Sequence, residues 1–335
     1  MTITTIPYQL QFKYPFRIAH GVRTHTDVVY VKLEHEGFVG WGEATLPPYL
    51  PETQKSVIEF VNNFAKSVSF SSDINDWFTA LNLVQANMSA KAALDMALWS
   101  LKANLEEKTI GELLGITAGE FPLGTYTIGV CPKEEMKVKI ADALAAGFEL
   151  FKIKLNGEND EQVIKDFKSI SDNPFAVDVN QGWKDTLIAR KKIEWLENEG
   201  CLLVEQPLPR DRNAEMPQIR EGAKLPLYAD ESCQRLNDIE PLSEGFDGIN
   251  IKLMKCGGIT EALQMIKKAR ELEMKILIGC MSESSVGCTA AAHLTPLADY
   301  ADLDGPYLIA NDPFSGIRIK NGRVVVNELK PVITL

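Results

Sequence analysis

Five short segments of the chain share one pattern, in which a charged residue stands at the end of an apolar run. In chain order the charged positions are Lys154, Asp178, Glu205, Asp230 and Lys252, which lie 24, 27, 25 and 22 residues apart. Each interval has room for a loop, a helix and another strand, a repeat typical of parallel strands joined by helices. Because parallel strands end at the same edge of a sheet, we expect the five charges to converge there.

Three further apolar segments continue this alternation, at residues 125–130, 275–279 and 300–304. Eight parallel strands within about 190 residues predict a closed barrel, whose active site lies at the C-terminal ends of the strands. An open doubly wound sheet is the alternative. It would carry a glycine-rich turn after its first strand, whereas the chain reads CPKEEM there.

The beginning of the chain is organised differently. Its opening segments alternate in polarity as strands do, and the segments that follow have the apolar period of helices. We predict an α+β domain over residues 1–120 and a barrel over residues 121–311. The last segment, 312–335, contains a hairpin pattern that turns at Asn321-Gly322 and is predicted to return to the first domain.

Composition narrows the class of protein. The chain has 335 residues, a formal net charge of −11 and scattered Lys and Arg, which argues against nucleic acid or a membrane surface as the partner. No run approaches the roughly 18 apolar residues of a membrane span and no secretion leader is evident, so a cytoplasmic location is expected. Six cysteines without CxxC pairs predict buried thiols, not disulfides or a zinc site.

Three of the charged strand ends are acids on successive strands: Asp178, Glu205 and Asp230. Converging carboxylates provide oxygen ligands for a hard divalent cation. Magnesium is the predicted ion, with manganese as a substitute, because zinc and iron sites usually recruit His or Cys. Any one of these acids alone would be interpreted as a solvated loop residue.

Lys154 and Lys252 end the second and sixth strands, which face each other across an eight-stranded ring. A partly desolvated lysine near a cation has a lowered pKa and can act as a base. Lys152 shares a strand face with Lys154 and is predicted to help lower its pKa. Two bases on opposite sides of a metal-held carboxylate can move a proton and invert the α-carbon, although elimination and cycloisomerisation stay open.

Nine motifs over nearly the whole chain carry a family resemblance: GWGEA, AALDMALWSL, FKIKL, DVNQGW, VEQPL, ADES, INIKLMKCGG, MSESSVG and DLDGP. With them the chain resembles the enolase superfamily, its muconate lactonising subgroup and most closely the dipeptide epimerases. The resemblance implies an α/β fold: a modified TIM barrel of (β/α)7β type with an N-terminal α+β capping domain that the C-terminal segment completes. It also implies that Asp178, Glu205 and Asp230 bind magnesium and that Lys154 and Lys252 are the acid/base pair, with Lys255 a weaker candidate.

Asp302 and Asp304 are predicted to select the substrate. Their period-two spacing puts both on one face at the end of the eighth strand, opposite the metal. A substrate held by its carboxylate at the metal would extend toward them, which favours an ammonium group about 7 Å away, as in a dipeptide. Muconate-type enzymes and succinylbenzoate synthases have little use for such a pair. A solvated acidic strand end is the alternative interpretation.

The variable end of the substrate is expected to meet the segment RIAHGVRTHTD at residues 17–27, interpreted as a loop. Relatives that act on alanyl-glutamate are expected to carry an arginine there. In this chain Gly21 falls at its position and Arg23 follows two residues later. The other predicted substrate-binding residues are Lys152, Thr127, Met281 and Glu283. His20 and His25 are specificity candidates, and Glu283 is interpreted as a partner for Lys252, a cap or a surface residue.

The sequence therefore predicts an isomerase, a magnesium-dependent dipeptide epimerase that inverts the C-terminal residue of Ala-Xaa substrates such as Ala-Ala or Ala-Glu. A role in cell-wall peptide metabolism and a homo-oligomer are expected by analogy alone. The alternatives are a muconate-type cycloisomerase, an o-succinylbenzoate synthase or N-acylamino acid racemase, and a non-catalytic metal-dependent binding protein.

Overall fold

A computed structural model describes residues 1–18, 21–68, 73–116 and 120–334. The chain begins with an antiparallel sheet of three strands in the order β1-β2-β3. Helix α3 packs on this sheet, where Gly40 and Gly42 let its backbone approach closely, because a Cβ at Gly42 would lie 1.8 Å from the carbonyl oxygen of Ala93. The elements of this region are β1 Thr2–Ile18, β2 Gly21–His35, β3 Phe38–Leu46, α1 Gln54–Val68, α2 Ile74–Asn82, α3 Met88–Leu105 and α4 Ile110–Leu113.

Eight parallel strands follow, paired in chain order. A parallel bridge between Gly124 and Ala301 joins the first strand region to the last, so the sheet closes into a barrel. The closed barrel is confirmed, and the open-sheet alternative is wrong. The strands are β4 Thr125–Ile128, β5 Leu150–Lys154, β6 Phe175–Asp178, β7 Val204–Glu205, β8 Leu227–Ala229, β9 Gly248–Lys252, β10 Lys275–Gly279 and β11 Tyr300–Asp302.

Helices surround the barrel and connect its strands, which buries the strands on both faces. These helices are α5 Lys133–Ala145, α6 Asp160–Lys168, α7 Thr186–Asn198, α8 Met216–Arg220, α9 Ile239–Leu242, α10 Leu253–Cys256, α11 Ile259–Glu271, α12 Ser285–Ala292 and α13 Gly305–Leu308. Within the described ranges, no helix is both long and apolar enough to span a membrane.

The C-terminal hairpin consists of β12 Phe314–Lys320 and β13 Arg323–Pro331. Asn321 and Gly322 turn it with φ of 51° and 70°, which confirms the predicted turn. The hairpin contacts both halves of the molecule. The Phe314 ring lies 4.9 Å from that of Trp41 in β3, and Gly124 before β4 donates to the carbonyl of Gly322. The domain boundaries at 120/121 and 311/312 stay predictions.

The interpretation of residues 17–27 as a loop is wrong for its described part. From Gly21 onward the segment belongs to β2, and Arg23 pairs with Phe16 across the β1–β2 hairpin. His20 lies outside the described residues. The polar residues of this exposed ribbon gave it the composition of a loop, although its backbone is paired.

Candidate active site

The three predicted metal ligands meet in the mouth of the barrel. Asp178, Glu205 and Asp230 end β6 and β7 and follow β8, and all three are buried. One carboxylate oxygen from each lies within 4.8 Å of the others. Neighbouring strand ends thus supply an all-oxygen donor set, as magnesium prefers.

A lysine flanks this triad on each side. Lys154 Nζ donates to Asp178 at 2.6 Å, and Lys252 Nζ donates to Asp230 at 2.7 Å. Their strands, β5 and β9, are the second and sixth of the barrel. The predicted geometry is therefore present: Lys154 lies on one side of the acids and Lys252 on the other. The catalytic roles of the two lysines stay predictions.

Electrostatics in the site reflect three buried acids close together. Burial, and next the charge of Asp178, raise the pKa of Glu205 to about 8. Such crowding favours a bound cation, so the donor set fits magnesium. Burial lowers the pKa of Lys252, but the carboxylates, above all Asp230, outweigh it and hold this pKa above its ordinary value. The nearest charges to this ammonium are acids, whereas the predicted lowering of a lysine pKa requires a bound cation nearby, so that prediction stays open.

Lys152 occupies the centre of the charged cluster. Its ammonium lies 2.7 Å from Asp302, 2.8 Å from Glu205 and 3.2 Å from Asp178, and 2% of the residue is exposed. Lys152 shares the inward face with Lys154, as predicted, but it does not line the cavity described below. The structure thus gives it the position of a counter-ion that holds three acids together.

Lys255 was the weaker catalytic candidate on the sixth strand. Its Nζ donates to Asp230 Oδ1 at 2.7 Å, to the Asp230 carbonyl at 2.7 Å and to the Asn250 carbonyl at 2.8 Å. An ammonium group has three N–H bonds, and all three have acceptors here. Lys255 is therefore suited to fixing Asp230, not to exchanging protons.

A cavity of about 350 Å³ opens above these groups, between the barrel and the N-terminal region. Among the lining residues that sequence reasoning missed are Tyr49, Arg210, Glu231, Gln234 and Leu308. Of these, Tyr49 had a detectable signal, since it stands in the proline-rich segment LPPYLPE directly after β3. The predicted residues that line the cavity are Arg23, Thr127, Lys154, Asp230, Lys252, Lys255, Met281, Asp302 and Asp304.

Asp302 and Asp304 both line the cavity but are not equivalent. Asp302 is neutralised by Lys152 and accepts a 2.5 Å hydrogen bond from Thr125. Asp304 accepts from the backbone N–H of Thr127 at 2.6 Å and has no ion pair among the described residues. Burial, and next the charge of Asp302, raise the pKa of Asp304 to about 7. Asp304 is thus the acid better placed to accept an ammonium group.

Arg23 projects from β2 toward the cavity, where its guanidinium lies 5.5–5.9 Å from the ring centres of Phe12, Phe16 and Tyr49. Nη2 donates to Ser282 Oγ at 3.3 Å, while Nε and Nη1 are buried and have no hydrogen-bond partner among the residues that the structure describes. This half-buried cation therefore has two nitrogens with no acceptor among the described residues. His25 is exposed on the same strand and does not line the cavity.

Two of the other predicted substrate contacts reach the cavity. Thr127 does so beside Asp304, and Met281 accepts a hydrogen bond at its sulfur from the Tyr49 hydroxyl at 3.1 Å. Glu283 is fully buried behind the cavity, where its Oε1 accepts from the N–H of Met281. The structure places no described lysine within 4 Å of Glu283, so the predicted pair with Lys252 does not form.

Two family models match the chain. Residues 1–115 match the mandelate racemase / muconate lactonizing enzyme N-terminal domain, and residues 135–331 match the enolase C-terminal domain-like family. The L-Ala-D/L-Glu epimerase of Bacteroides thetaiotaomicron is 39% identical, over 98% of this chain and 86% of that protein.

Solved structures agree with this match. The substrate-liganded L-Ala-D/L-Glu epimerase of Bacillus subtilis has a TM-score of 0.89 at 28% identity and covers 99% of this chain and 97% of its own. A dipeptide epimerase of Cytophaga hutchinsonii, in complex with Mg and D-Ala-L-Val, has a TM-score of 0.88 at 28% identity, over 99% and 95% of the two chains. The chain described here therefore belongs to the dipeptide epimerases of the enolase superfamily.

Proposed function

We propose that this protein is a magnesium-dependent dipeptide epimerase that inverts the α-carbon of the C-terminal residue. One observation carries the proposal: Lys154 and Lys252 approach the acid triad from opposite strands, each within 2.7 Å of a different metal ligand. A carboxylate held at the triad would have its α-carbon between the two ammonium groups. A binding protein has no need of two bases on opposite sides of one carbon.

Each lysine has one task in the reaction. One lysine, in its neutral form, removes the α-proton from one face, and the other, as an ammonium, returns a proton to the opposite face. Magnesium, when bound, supplies positive charge that stabilises the enediolate and offsets the pull of the acids on the lysine protons. Lys152 and Lys255 keep the acids in place throughout.

Asp304 favours a dipeptide over the substrate of a cycloisomerase. It is a buried carboxyl group that lines the cavity and has no cationic partner among the described residues. The terminal ammonium of a dipeptide would supply the missing charge. Asp302 should contribute less to binding the ammonium group, since its carboxylate already forms an ion pair with Lys152.

Arg23 leads us to propose alanyl-glutamate as the preferred substrate. At the wall of the cavity, its Nε and Nη1 are donors that have no acceptor in the described part of the chain. A distal carboxylate would pair with this guanidinium, which a neutral side chain leaves unsatisfied. The Bacteroides thetaiotaomicron relative is named for Ala-Glu, and the Cytophaga hutchinsonii structure is a complex with D-Ala-L-Val, so the choice of Ala-Glu for this chain rests on Arg23.

Isotope exchange tests the proposal. In deuterated water with magnesium and L-Ala-L-Glu, the protein should form L-Ala-D-Glu with deuterium at the glutamyl α-carbon, detected by NMR and chiral chromatography. Chelation of the metal should stop both processes. Absence of exchange with Ala-Glu, Ala-Ala and a wider dipeptide library would contradict the proposal.

Single-lysine variants separate the two bases. Lys252→Ala leaves Asp230 paired with Lys255, and Lys154→Ala leaves Asp178 paired with Lys152, so each acid keeps a counter-ion. Each variant should lose epimerisation by roughly 10²- to 10⁴-fold but retain exchange on one epimer, with opposite epimers for the two variants. Equal loss of exchange on both epimers would contradict the two-base assignment.

The proposal also covers the metal ion and the setting of the enzyme. Magnesium is proposed over manganese because the Cytophaga hutchinsonii complex contains it. A cytoplasmic location, a role in cell-wall peptide metabolism and a homo-oligomer stay predictions.

A further inference from the structure

Residues 280–284 follow β10, the seventh strand of the barrel, and connect it to α12; we call them the strand-seven loop. This loop contacts the side of the cavity that is proposed to hold the substrate side chain. Ser282 Oγ accepts from Arg23, and the Met281 sulfur accepts from Tyr49. Arg23 and Tyr49 both come from the N-terminal region. The loop therefore contacts both Arg23 and Tyr49, so a shift of the loop would change the contacts of the Arg23 guanidinium.

The two ends of the loop are held differently. At its start the N–H of Cys280 donates to the Asp302 carbonyl at 3.0 Å, which continues the pairing of β10 with β11. At its end the loop is bound by Glu43, a residue of β3. The barrel thus fixes one end and the N-terminal sheet fixes the other.

Glu43 is completely buried and accepts hydrogen bonds with both carboxylate oxygens. The Ser284 N–H lies 3.0 Å from Oε1, while Ser284 Oγ and the Gly287 N–H lie 2.5 Å and 3.1 Å from Oε2. Thr45 Oγ1 donates to Oε1 at 2.7 Å. Three of these four donors belong to the barrel, at the N-terminus of α12, where a carboxylate is favoured.

The same sheet carries Glu43 and Arg23. Glu43 in β3 pairs with Tyr30 in β2, and Arg23 lies farther along β2. The sheet therefore touches the strand-seven loop twice, through Glu43 at Ser284 and through Arg23 at Ser282. Two contacts two residues apart fix the loop relative to the guanidinium.

We infer that Glu43 is a positioning residue for substrate selection: it holds the strand-seven loop so that Ser282 and Met281 keep Arg23 and Tyr49 at the substrate side chain. This inference rests on the proposed function. It assigns a task to the GWGEA motif that the metal and the two lysines do not use.

Asp95 in α3 offers a matched control. It is also a buried carboxylate of the N-terminal region that binds a barrel helix, since it accepts from Thr260 N–H at 3.1 Å and Thr260 Oγ1 at 2.5 Å at the start of α11. Neither Thr260 nor Asp95 lines the cavity. Loss of the Asp95 carboxylate should weaken the contact between α3 and α11 without changing which dipeptide the enzyme prefers.

Glu43→Gln tests the inference, because the amide keeps the shape but turns one acceptor into a donor that faces other donors. We expect KM for L-Ala-L-Glu to rise on the order of tenfold with kcat within about threefold, so that the preference for Ala-Glu over Ala-Ala shrinks. Asp95→Asn should leave that preference unchanged. A Glu43→Gln enzyme with wild-type KM and preference, and only a lower Tm, would overturn the inference.

Ser284→Ala is the second variant, in case Glu43→Gln does not fold. It removes one donor to Glu43 and keeps the carboxylate, so the preference should shift in the same direction by a smaller factor. A folded Ser284→Ala enzyme with wild-type preference would also overturn the inference. If the wild-type protein epimerises no dipeptide, the proposed function fails and this inference fails with it; an active wild type with unaltered variants defeats the inference alone.

Discussion

Arg23 presents a partly unsatisfied guanidinium to the cavity, and this residue sets the first prediction. Arg23→Met should lower kcat/KM for Ala-Glu by roughly 10- to 100-fold, because a charge-assisted hydrogen bond to the distal carboxylate is lost. Turnover of Ala-Ala should change by less than about threefold. Steady-state kinetics on the two dipeptides measure the difference.

Two further variants serve as controls for Arg23. Arg23→Lys keeps the charge without the planar group, so its loss on Ala-Glu should be intermediate. His25→Ala changes an exposed side chain of the same strand and should match the wild type. Equal losses on both dipeptides in Arg23→Met would mean that Arg23 supports the hairpin and does not select the substrate.

At the scale of elements, helix α4 is attached to the barrel through His293, directly after α12. The Gly111 N–H donates to His293 Nδ1 at 3.3 Å, so this nitrogen must be unprotonated. Burial lowers the pKa of His293 to about 4, against about 6.5 in an unfolded chain. Because the folded state binds the proton less tightly, this contribution to stability is complete above pH 6.5 and is lost as the pH falls toward 4.

His293→Gln should therefore remove part of the acid sensitivity, since its amide oxygen can accept the same bond without titrating. As the pH is lowered from 7.5 to 4.5, the Tm of the variant minus the Tm of the wild type should increase. Calorimetry at matched ionic strength measures this difference. A Tm difference that is constant over this range would show that His293 does not titrate on unfolding.

For the molecule as a whole, the barrel could be predicted because a strand end is visible along the chain, as an apolar run followed by a charge. The closeness of Asp178, Glu205 and Asp230 followed from their places on successive strands. The ion pair between Lys152 and Asp302 could not be predicted, because it joins residues 150 positions apart and depends on how the barrel closes. The position of Arg23 depends in the same way on the register of the β1–β2 hairpin.

Closure of the barrel also links metal binding to global stability. Asp178, Glu205 and Asp230 come together only in the folded chain, so magnesium should bind the native state and raise the Tm. At a magnesium concentration 100 times its Kd, the free energy of unfolding should rise by about 2.7 kcal/mol, which raises the Tm by about 4 °C for a chain of this size. Calorimetry with and without magnesium, at constant ionic strength, measures the shift, and a chelator should reverse it.

Asp230→Asn provides the control for that measurement. The variant removes the charge of one ligand and leaves Lys252 and Lys255 without their carboxylate partner, so its Tm without metal should already be lower. The informative quantity is the change in Tm when magnesium is added. In the variant this change should fall to near zero at the magnesium concentration that stabilises the wild type. A variant that gains as much as the wild type would place the stabilising ion elsewhere, because a site built from three carboxylates cannot keep its affinity after losing the charge of one of them.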